Sequence, residues 1–176
     1  IVLADKAECV AGHSLGEYSA LCAAGTFSLA DTARLLQTRG RAMQQAVPVG
    51  QGAMAAILGL EMDAVREIAA SAAEGSVCDV ANDNSPGQVV ISGDASAIER
   101  AMELAKARGA KRALPLPVSA PFHCALMEPA AEAMEAALAM VDMKAPAVPL
   151  VANVLASPIT DPAEIRRHLA EQVTGM

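Results

Sequence analysis

Trp is absent from the 176 residues, Tyr occurs once and Phe twice, so aromatic side chains make up only 2% of the chain. A core of ordinary size must then be built from Ala, Val, Leu, Ile and Met, within a composition that is 53% hydrophobic. The length is enough to bury such a core and suggests one domain or two small ones. Basic residues are also scarce: 13 Lys and Arg stand against 20 Asp and Glu, a formal net charge of -7. That balance argues against nucleic-acid binding, which needs a basic face, although a local basic patch is still allowed. Cys9, Cys22, Cys78 and Cys124 form no C-x-x-C pair, and no His stands at zinc-like spacing from two of them. Free thiols in a reducing compartment and no metal are the expectation. No apolar run reaches the length of a membrane span, and no basic-then-apolar leader precedes a cleavage site. The chain reads as cytoplasmic, with no membrane partner.

The sequence does contain a Gly-rich stretch near its start. Gly12-His13-Ser14-Leu15-Gly16 fits G-x-S-x-G, the sharp strand-to-helix turn that lifts a serine to its apex. A short strand, Cys9-Val10-Ala11, precedes it, and Leu15 to Ala24 reads as a helix ending at Gly25. Backbones approach closely in such a turn, so a Cβ at either flanking glycine is expected to clash. A plain N-cap serine is the bland alternative, and it leaves the two glycines unexplained.

Ser28 to Asp31 reads as a capping box opening a second helix. Along it Leu35, Leu36 and Met43 mark an apolar stripe into which Arg39 falls, while Arg34, Gln37, Thr38, Arg41 and Gln45 make the polar face. A guanidinium on the apolar side calls for an anionic partner or a snorkelling route. Val47 to Gly52 is a linker by composition. Beyond it the pattern predicts a strand at 53–58, a helix at 63–73, strands at 76–80 and 88–92, a helix at 95–108 and a strand at 112–118. That order, β-α-β-β-α-β, is the ferredoxin-like unit. Asn82-Asp83-Asn84-Ser85-Pro86-Gly87 reads as a loop of turn residues. After Pro121-Phe122-His123, helices are predicted from about Pro129 to Met140 and Pro162 to Gln172, with a strand near Val148–Val154 between them.

A serine needs a base to become a nucleophile. His13 adjoins Ser14 on the turn, where neighbouring side chains diverge, and His168 sits within a helix. His123 lies in a loop after a strand, where catalytic groups commonly sit, and follows the serine in chain order. Asp142 and Asp161, the Asp residues after His123, occupy no persuasive motif for a third triad member.

The string Gly12 to Leu21 resembles the active-site signature of malonyl-CoA:acyl carrier protein transacylases, the acyltransferases of fatty acid synthesis. Gln37 to Gln44, Asn82 to Gly93 and Leu116 to Cys124 resemble that family too, in the family's order, so the likeness runs from about residue 10 to Gln172. It implies an α/β fold: an α/β-hydrolase-like core (1–49 and 120–176) carrying an inserted ferredoxin-like subdomain (50–119). It implies Ser14 as nucleophile and His123 as base. It further implies that the Leu15 N–H is an oxyanion donor, and that a backbone carbonyl at Gln172 orients the histidine in place of a carboxylate. Arg39 matches the family's substrate-carboxylate arginine. Phe122 matches an aromatic whose bulk excludes a 2-methyl branch, a core Phe being the equal alternative. Asn82 and Asn84 face the substrate in this reading, although Asp83 departs from the apolar residue expected there.

The activity implied is transfer of a malonyl group from malonyl-CoA to the phosphopantetheine thiol of acyl carrier protein. No resident cofactor is implied, because the phosphopantetheine belongs to the carrier. The family carries a further N-terminal Gly-Gln-Gly stretch, holding a second oxyanion donor, and more chain at its end, so an internal fragment is expected. Lys106, Arg108, Lys111 and Arg112 form the densest basic cluster, either a solvated face or a docking patch for the acidic carrier. Competing readings are the acyltransferase domain of a polyketide synthase, a serine esterase or other hydrolase, and a non-enzymatic binding module.

Overall fold

The computed structural model describes residues 6–176. In chain order the elements are β1 (Val10–Ala11), α1 (Leu15–Ala23), α2 (Leu29–Ala46), β2 (Gly52–Leu58), α3 (Met62–Ala73) and β3 (Cys78–Ser85). They continue with β4 (Gln88–Asp94), α4 (Ala95–Ala107), β5 (Arg112–Pro115), a 3-10 turn (Ala125–Met127), α5 (Glu128–Ala139), β6 (Leu150–Ala152), β7 (Ser157–Ile159) and α6 (Pro162–Glu171). The chain is mixed α/β with two sheets. Its contacts fall into two units, one comprising the described residues up to Ala42 together with Ala130–Gln172, the other Met43–Pro129 with Val173–Met176.

In the first unit β6 is the middle strand, parallel to β1 (Val10↔Leu150) and antiparallel to β7 (Leu150↔Ile159). The patterning predicts β6 but not β7, a three-residue edge strand interrupted by Pro158; proline, lacking an N–H, is tolerated only at such an edge. Tyr18, Leu21, Leu35, Met134, Leu138, Leu150, Ile165 and Leu169 are among the buried apolar side chains of this unit. Helix starts follow their sequence signals. The Asp31 N–H donates to Ser28 Oγ at 3.0 Å, opening α2, and the Ala163 N–H donates to Asp161 Oδ1 at 2.9 Å, with Pro162 in the first turn of α6. The inner stripe of α2 is Thr32, Leu35, Arg39 and Met43, all buried at i, i+3, i+4 spacing.

In the second unit the strand order is β3-β4-β2-β5, with every neighbouring pair antiparallel. Strand alternation sends Ala55 and Ile57 of β2 into one cluster with Val65 and Ile68 of α3, Val89 and Ile91 of β4, and Ile98 and Ala101 of α4. The opposite face carries Met54, Ala81 and Val90, with Phe122 and Leu116 packed on them. Three expectations change here. Asn82 and Asn84 lie in a strand, not a loop: β3 continues to Ser85, with register irregularities at Val80/Asn82 and Asp83/Ser85, and only Pro86-Gly87 make the turn, with Gly87 at φ +73. Asn and Asp are depleted in strands, which is why composition points the wrong way. β5 stops at Pro115 instead of 118, because Pro115 and Pro117 cannot donate to a ladder. The unit is also wider than 50–119. Gln44 and Ser119 exchange hydrogen bonds (2.7 and 3.3 Å), Ala125 N–H donates to Asp79 Oδ2 at 2.8 Å, and a Cβ on Gly52 would strike Pro121 at 2.3 Å. These ties bring the last turn of α2 and the segment around His123 into the second unit.

Among the described residues no helix is long and apolar enough to cross a membrane, and no cluster of His, Cys, Asp and Glu could hold a metal ion. The cysteines are free, with Cys9 exposed and Cys78 and Cys124 buried.

Candidate active site

The turn from β1 into α1 places Ser14 at φ 52°, ψ -112°, immediately before the helix. Few non-glycine residues hold a positive φ; among the described residues these are Ser14, Glu74, His123 and Ala156. Strain of about 1–3 kcal/mol persists only where the surroundings over-determine it, and two of the four are the residues singled out as nucleophile and base. Gly12 makes the turn possible: a Cβ there would lie 2.0 Å from the Gly16 carbonyl oxygen. The expectation that Gly16 is equally constrained is not met, since a Cβ on it meets nothing within 4 Å. The turn is tight on one side only. The Leu15 N–H, at the first position of α1, makes no hydrogen bond among the described residues, leaving a donor beside Ser14 at the positive end of the helix.

Polar side chains buried in the first unit converge on this turn. Asn153, just beyond β6, accepts the Ser14 N–H through Oδ1 at 2.7 Å and donates Nδ2–H to the Gly12 carbonyl at 2.7 Å. Glu17 in α1 is 2% exposed. Its Oε1 accepts the Asn153 backbone N–H at 3.3 Å, and its Oε2 accepts Gln172 Nε2–H in a short contact. Gln172 Nε2 also donates to the Ser14 carbonyl at 3.1 Å. Arg39, 6% exposed, donates from Nη2 to Ser14 Oγ and to Gln172 Oε1, both at 3.0 Å, and its guanidinium lies 5.9 Å from the Tyr18 ring centroid. Its Nε–H is buried without a hydrogen-bond partner among the described residues. Burial depresses the Arg39 pKa and raises that of Glu17, the latter countered by the hydrogen bonds from Asn153 and Gln172 and by the charges of His168 and Arg39. The alternative of a snorkelling Arg39 is excluded by its burial.

His123 belongs to the second unit, 7% exposed and at φ 57°. Its Nδ1 lies 3.1 Å from the Gly175 carbonyl, which can only accept, so the proton sits on Nδ1 and in the neutral ring Nε2 is the basic nitrogen. A carbonyl thus takes the orienting place, and it comes from Gly175, three residues beyond the expected Gln172. Cys124 Sγ–H donates to the Pro121 carbonyl at 3.1 Å, and with the Ala125–Asp79 bond this fixes the segment on both sides of the histidine.

The remaining candidates separate. Phe122 packs on the Met54, Ala81 and Val90 cluster, the core role foreseen as its alternative. Asn82 is half-buried on β3 and Asn84 exposed. Asp161 is spent on its helix cap and Asp142 is exposed, so neither serves as a triad acid. His13 is exposed; His168 is buried, with Nδ1 2.7 Å from Glu171 Oε2. Within the basic cluster Lys106 pairs with Glu103 (2.7 Å) and Arg108 with Glu67 (2.9 Å), leaving Lys111 and Arg112 exposed and outside any ion pair among the described residues. Sequence reading missed Asn153 and Glu17 entirely. Glu17 carried a signal, an acidic residue in the first turn of a helix on the same side as the buried Tyr18 and Leu21; Asn153 carried none.

Residues 5–173 match the model of the acyl transferase domain family. The chain is similar to the malonyl CoA-acyl carrier protein transacylase of Salmonella typhimurium, 53% identical over 164 residues, which is 93% of this chain and 53% of that protein. Among solved structures it is similar to the acyl-carrier-protein-S-malonyltransferase of Bartonella henselae, with TM-score 0.96 and 60% identity over 99% of this chain and 56% of that one. A malonyl-transacylase solved in complex with its type II PKS acyl-carrier protein gives TM-score 0.93 at 45% identity, covering 96% of this chain and 54% of the other. The chain spans about half the length of the curated relatives it matches. Since the family match takes in the elbow, the buried arginine and the histidine together, the chain belongs to the acyl transferase domain family.

Proposed function

We propose that the protein transfers a malonyl group from malonyl-CoA to the phosphopantetheine thiol of an acyl carrier protein, through a malonyl ester on Ser14, as in fatty acid synthesis. The observation that carries this reading is the buried guanidinium of Arg39, held 3.0 Å from Ser14 Oγ. An arginine beside a nucleophile suits an acyl group that ends in a carboxylate, which it can grip in a bidentate pair. An acetyl group would leave Arg39 without its anion, at a cost of about 3–5 kcal/mol for breaking a buried pair.

In this mechanism Ser14 Oγ attacks the thioester carbonyl and its proton passes to His123 Nε2. The developing oxyanion is held by the Leu15 N–H at the start of α1. Collapse expels coenzyme A, protonated from His123. The carrier's thiol then gives its proton to His123, attacks the seryl ester and regenerates Ser14 as the ester oxygen is reprotonated. Gly175 keeps Nε2 the basic nitrogen in both half-reactions. The phosphopantetheine arrives on the carrier, so no resident cofactor is required. The names of the relatives support the donor and acceptor. In its finer fold we read an α/β-hydrolase-like core with a ferredoxin-like insertion. The parallel β1–β6 pair feeding the elbow supports the first, and the β3-β4-β2-β5 antiparallel order supports the second.

Intact mass measurement of the full-length protein incubated with malonyl-CoA, followed by peptide mapping, tests the reading. One malonyl group on the Ser14 peptide, discharged by holo acyl carrier protein, is the expected result. Discharge chiefly to water would make the protein a hydrolase, and the absence of an adduct would remove Ser14 as nucleophile. In Arg39→Ala, malonyl loading should fall by about 100-fold or more while acetyl loading gains relative to it.

A further inference from the structure

We infer that Glu17 is a positioning residue that holds both the Ser14 elbow and the Arg39 guanidinium in place, the first through Asn153 and the second through Gln172. The inference rests on the assignment of Arg39 to the acyl carboxylate. A carboxylate that is 2% exposed must have its oxygens matched by donors, and here each oxygen receives one: the Asn153 backbone N–H on Oε1 and Gln172 Nε2–H on Oε2. Each donor belongs to a residue with a second task. The Asn153 side chain clamps the turn on both sides of Ser14, at Gly12 O and Ser14 N. The Gln172 amide has a direction, nitrogen toward Glu17 and Ser14 O, oxygen toward Arg39.

That direction is the point of the arrangement. A side-chain amide can turn over, exchanging donor and acceptor. Turned over, Gln172 would set its NH2 against the guanidinium and its oxygen against the Glu17 carboxylate, unfavourable at both ends. Glu17 as an acceptor-only group therefore fixes which end of Gln172 faces Arg39, and with it the position from which Nη2 reaches Ser14 Oγ. Buried Arg39 and Glu17 also offset one another's charge across the amide without direct contact, which leaves guanidinium donors for a substrate. The other ionisable groups acting on Glu17 are Arg39 of α2 and His168 of α6, so the network ties α1, α2, α6 and the segment after β6.

Glu17→Gln keeps the shape and removes the acceptor-only character, forcing one NH2 against an N–H donor. In the full-length protein, Ser14 loading is measured with malonyl-CoA and with acetyl-CoA. Glu17→Gln should lower malonyl kcat/KM by roughly 10- to 100-fold and acetyl kcat/KM by clearly less, because only the malonyl group uses Arg39. Asn153→Ala, which touches the elbow branch alone, should lower both by the same factor. Should Glu17→Gln fail to fold, Gln172→Met severs the arginine branch, and the malonyl-weighted loss is expected there instead. Equal losses for the two acyl groups in Glu17→Gln and Gln172→Met, as a merely structural carboxylate would give, overturn the inference while leaving Ser14 acylation intact. A wild-type protein that loads neither acyl group onto Ser14 refutes the proposed function itself, and this inference with it.

Discussion

Replacing Gly12 by Ala adds one methyl group, and its consequence can be worked from the turn. The new Cβ would lie 2.0 Å from the Gly16 carbonyl oxygen, 2.1 Å from its carbon and 2.6 Å from the Glu17 nitrogen. Ordinary Cβ contacts begin above 3.0 Å, so the first turn of α1 must move away by about 1 Å. All three atoms are backbone and cannot rotate aside, and the turn is clamped by Asn153 on both sides of Ser14. Overpacking of this kind costs about 1–3 kcal/mol, with the upper end expected for backbone. In melting temperature that is about 2–4 °C per kcal/mol for a domain of this size. A displacement of about 1 Å at a nucleophile costs about 100-fold in rate, so Ser14 loading should fall further than stability explains. Gly16→Ala is the internal control. Its Cβ meets nothing within 4 Å, and Ala in a helix is favoured over Gly by about 0.5–1 kcal/mol, so that variant should melt at or above wild type. Thermal melts of both variants and the rate of Ser14 acylation by intact mass provide the assay. Wild-type melting and loading in Gly12→Ala, or destabilisation by Gly16→Ala exceeding that by Gly12→Ala, would refute the geometry.

Glu17 gives a pH signature: burial raises its pKa from the ordinary 4.5, so between that value and the raised one the native state holds a proton that the unfolded chain has released. Stability from this group therefore falls as pH rises through that window, and the fall should vanish in Glu17→Gln; urea midpoints showing wild type gaining on the variant across the window would contradict it. Burial pushes the Cys78 thiol up to about 11, so a thiol reagent at neutral pH should modify exposed Cys9 and spare Cys78 and Cys124 in the folded protein, as peptide mapping will read; modification of Cys78 ahead of Cys9 is the contrary result. Reversing Lys111 and Arg112 to Glu should slow transfer to the acidic carrier protein by about tenfold at low salt while leaving Ser14 loading by malonyl-CoA unchanged, and equal effects on both half-reactions would exclude a docking role.

What could be read from the chain was whatever depends on near neighbours. The elbow is written in five consecutive residues, the caps of α2 and α6 in Ser28-x-x-Asp31 and Asp161-Pro162, and the helices in their apolar spacing. Two of the misplaced strands fail for one reason: β3 runs on through Asn82 and Asn84 because β4 pairs with it, and β7 exists around Pro158 because β6 does. Cross-strand pairing overrides local preference, and a single segment carries no record of its partner. Arg39 stood out only as a charge in an apolar stripe, which demands a partner without naming one. The partner turns out to be several groups at once: Ser14, the Gln172 amide, and through that amide Glu17. Residues 14, 39, 153 and 172 are far apart in sequence and meet only when β1 lies beside β6 and α6 returns to the elbow. Asn153 carries no chemical pattern that marks it in advance, Glu17 only its place beside buried apolar residues of a helix, and Gln172 is marked in the sequence for its backbone carbonyl, not for its side-chain amide. Their part follows from an accounting of donors and acceptors around a buried carboxylate, and that accounting needs the fold. The sequence could name candidates for the reacting atoms; the groups packed around them become visible only when every buried N–H and oxygen has been assigned a partner.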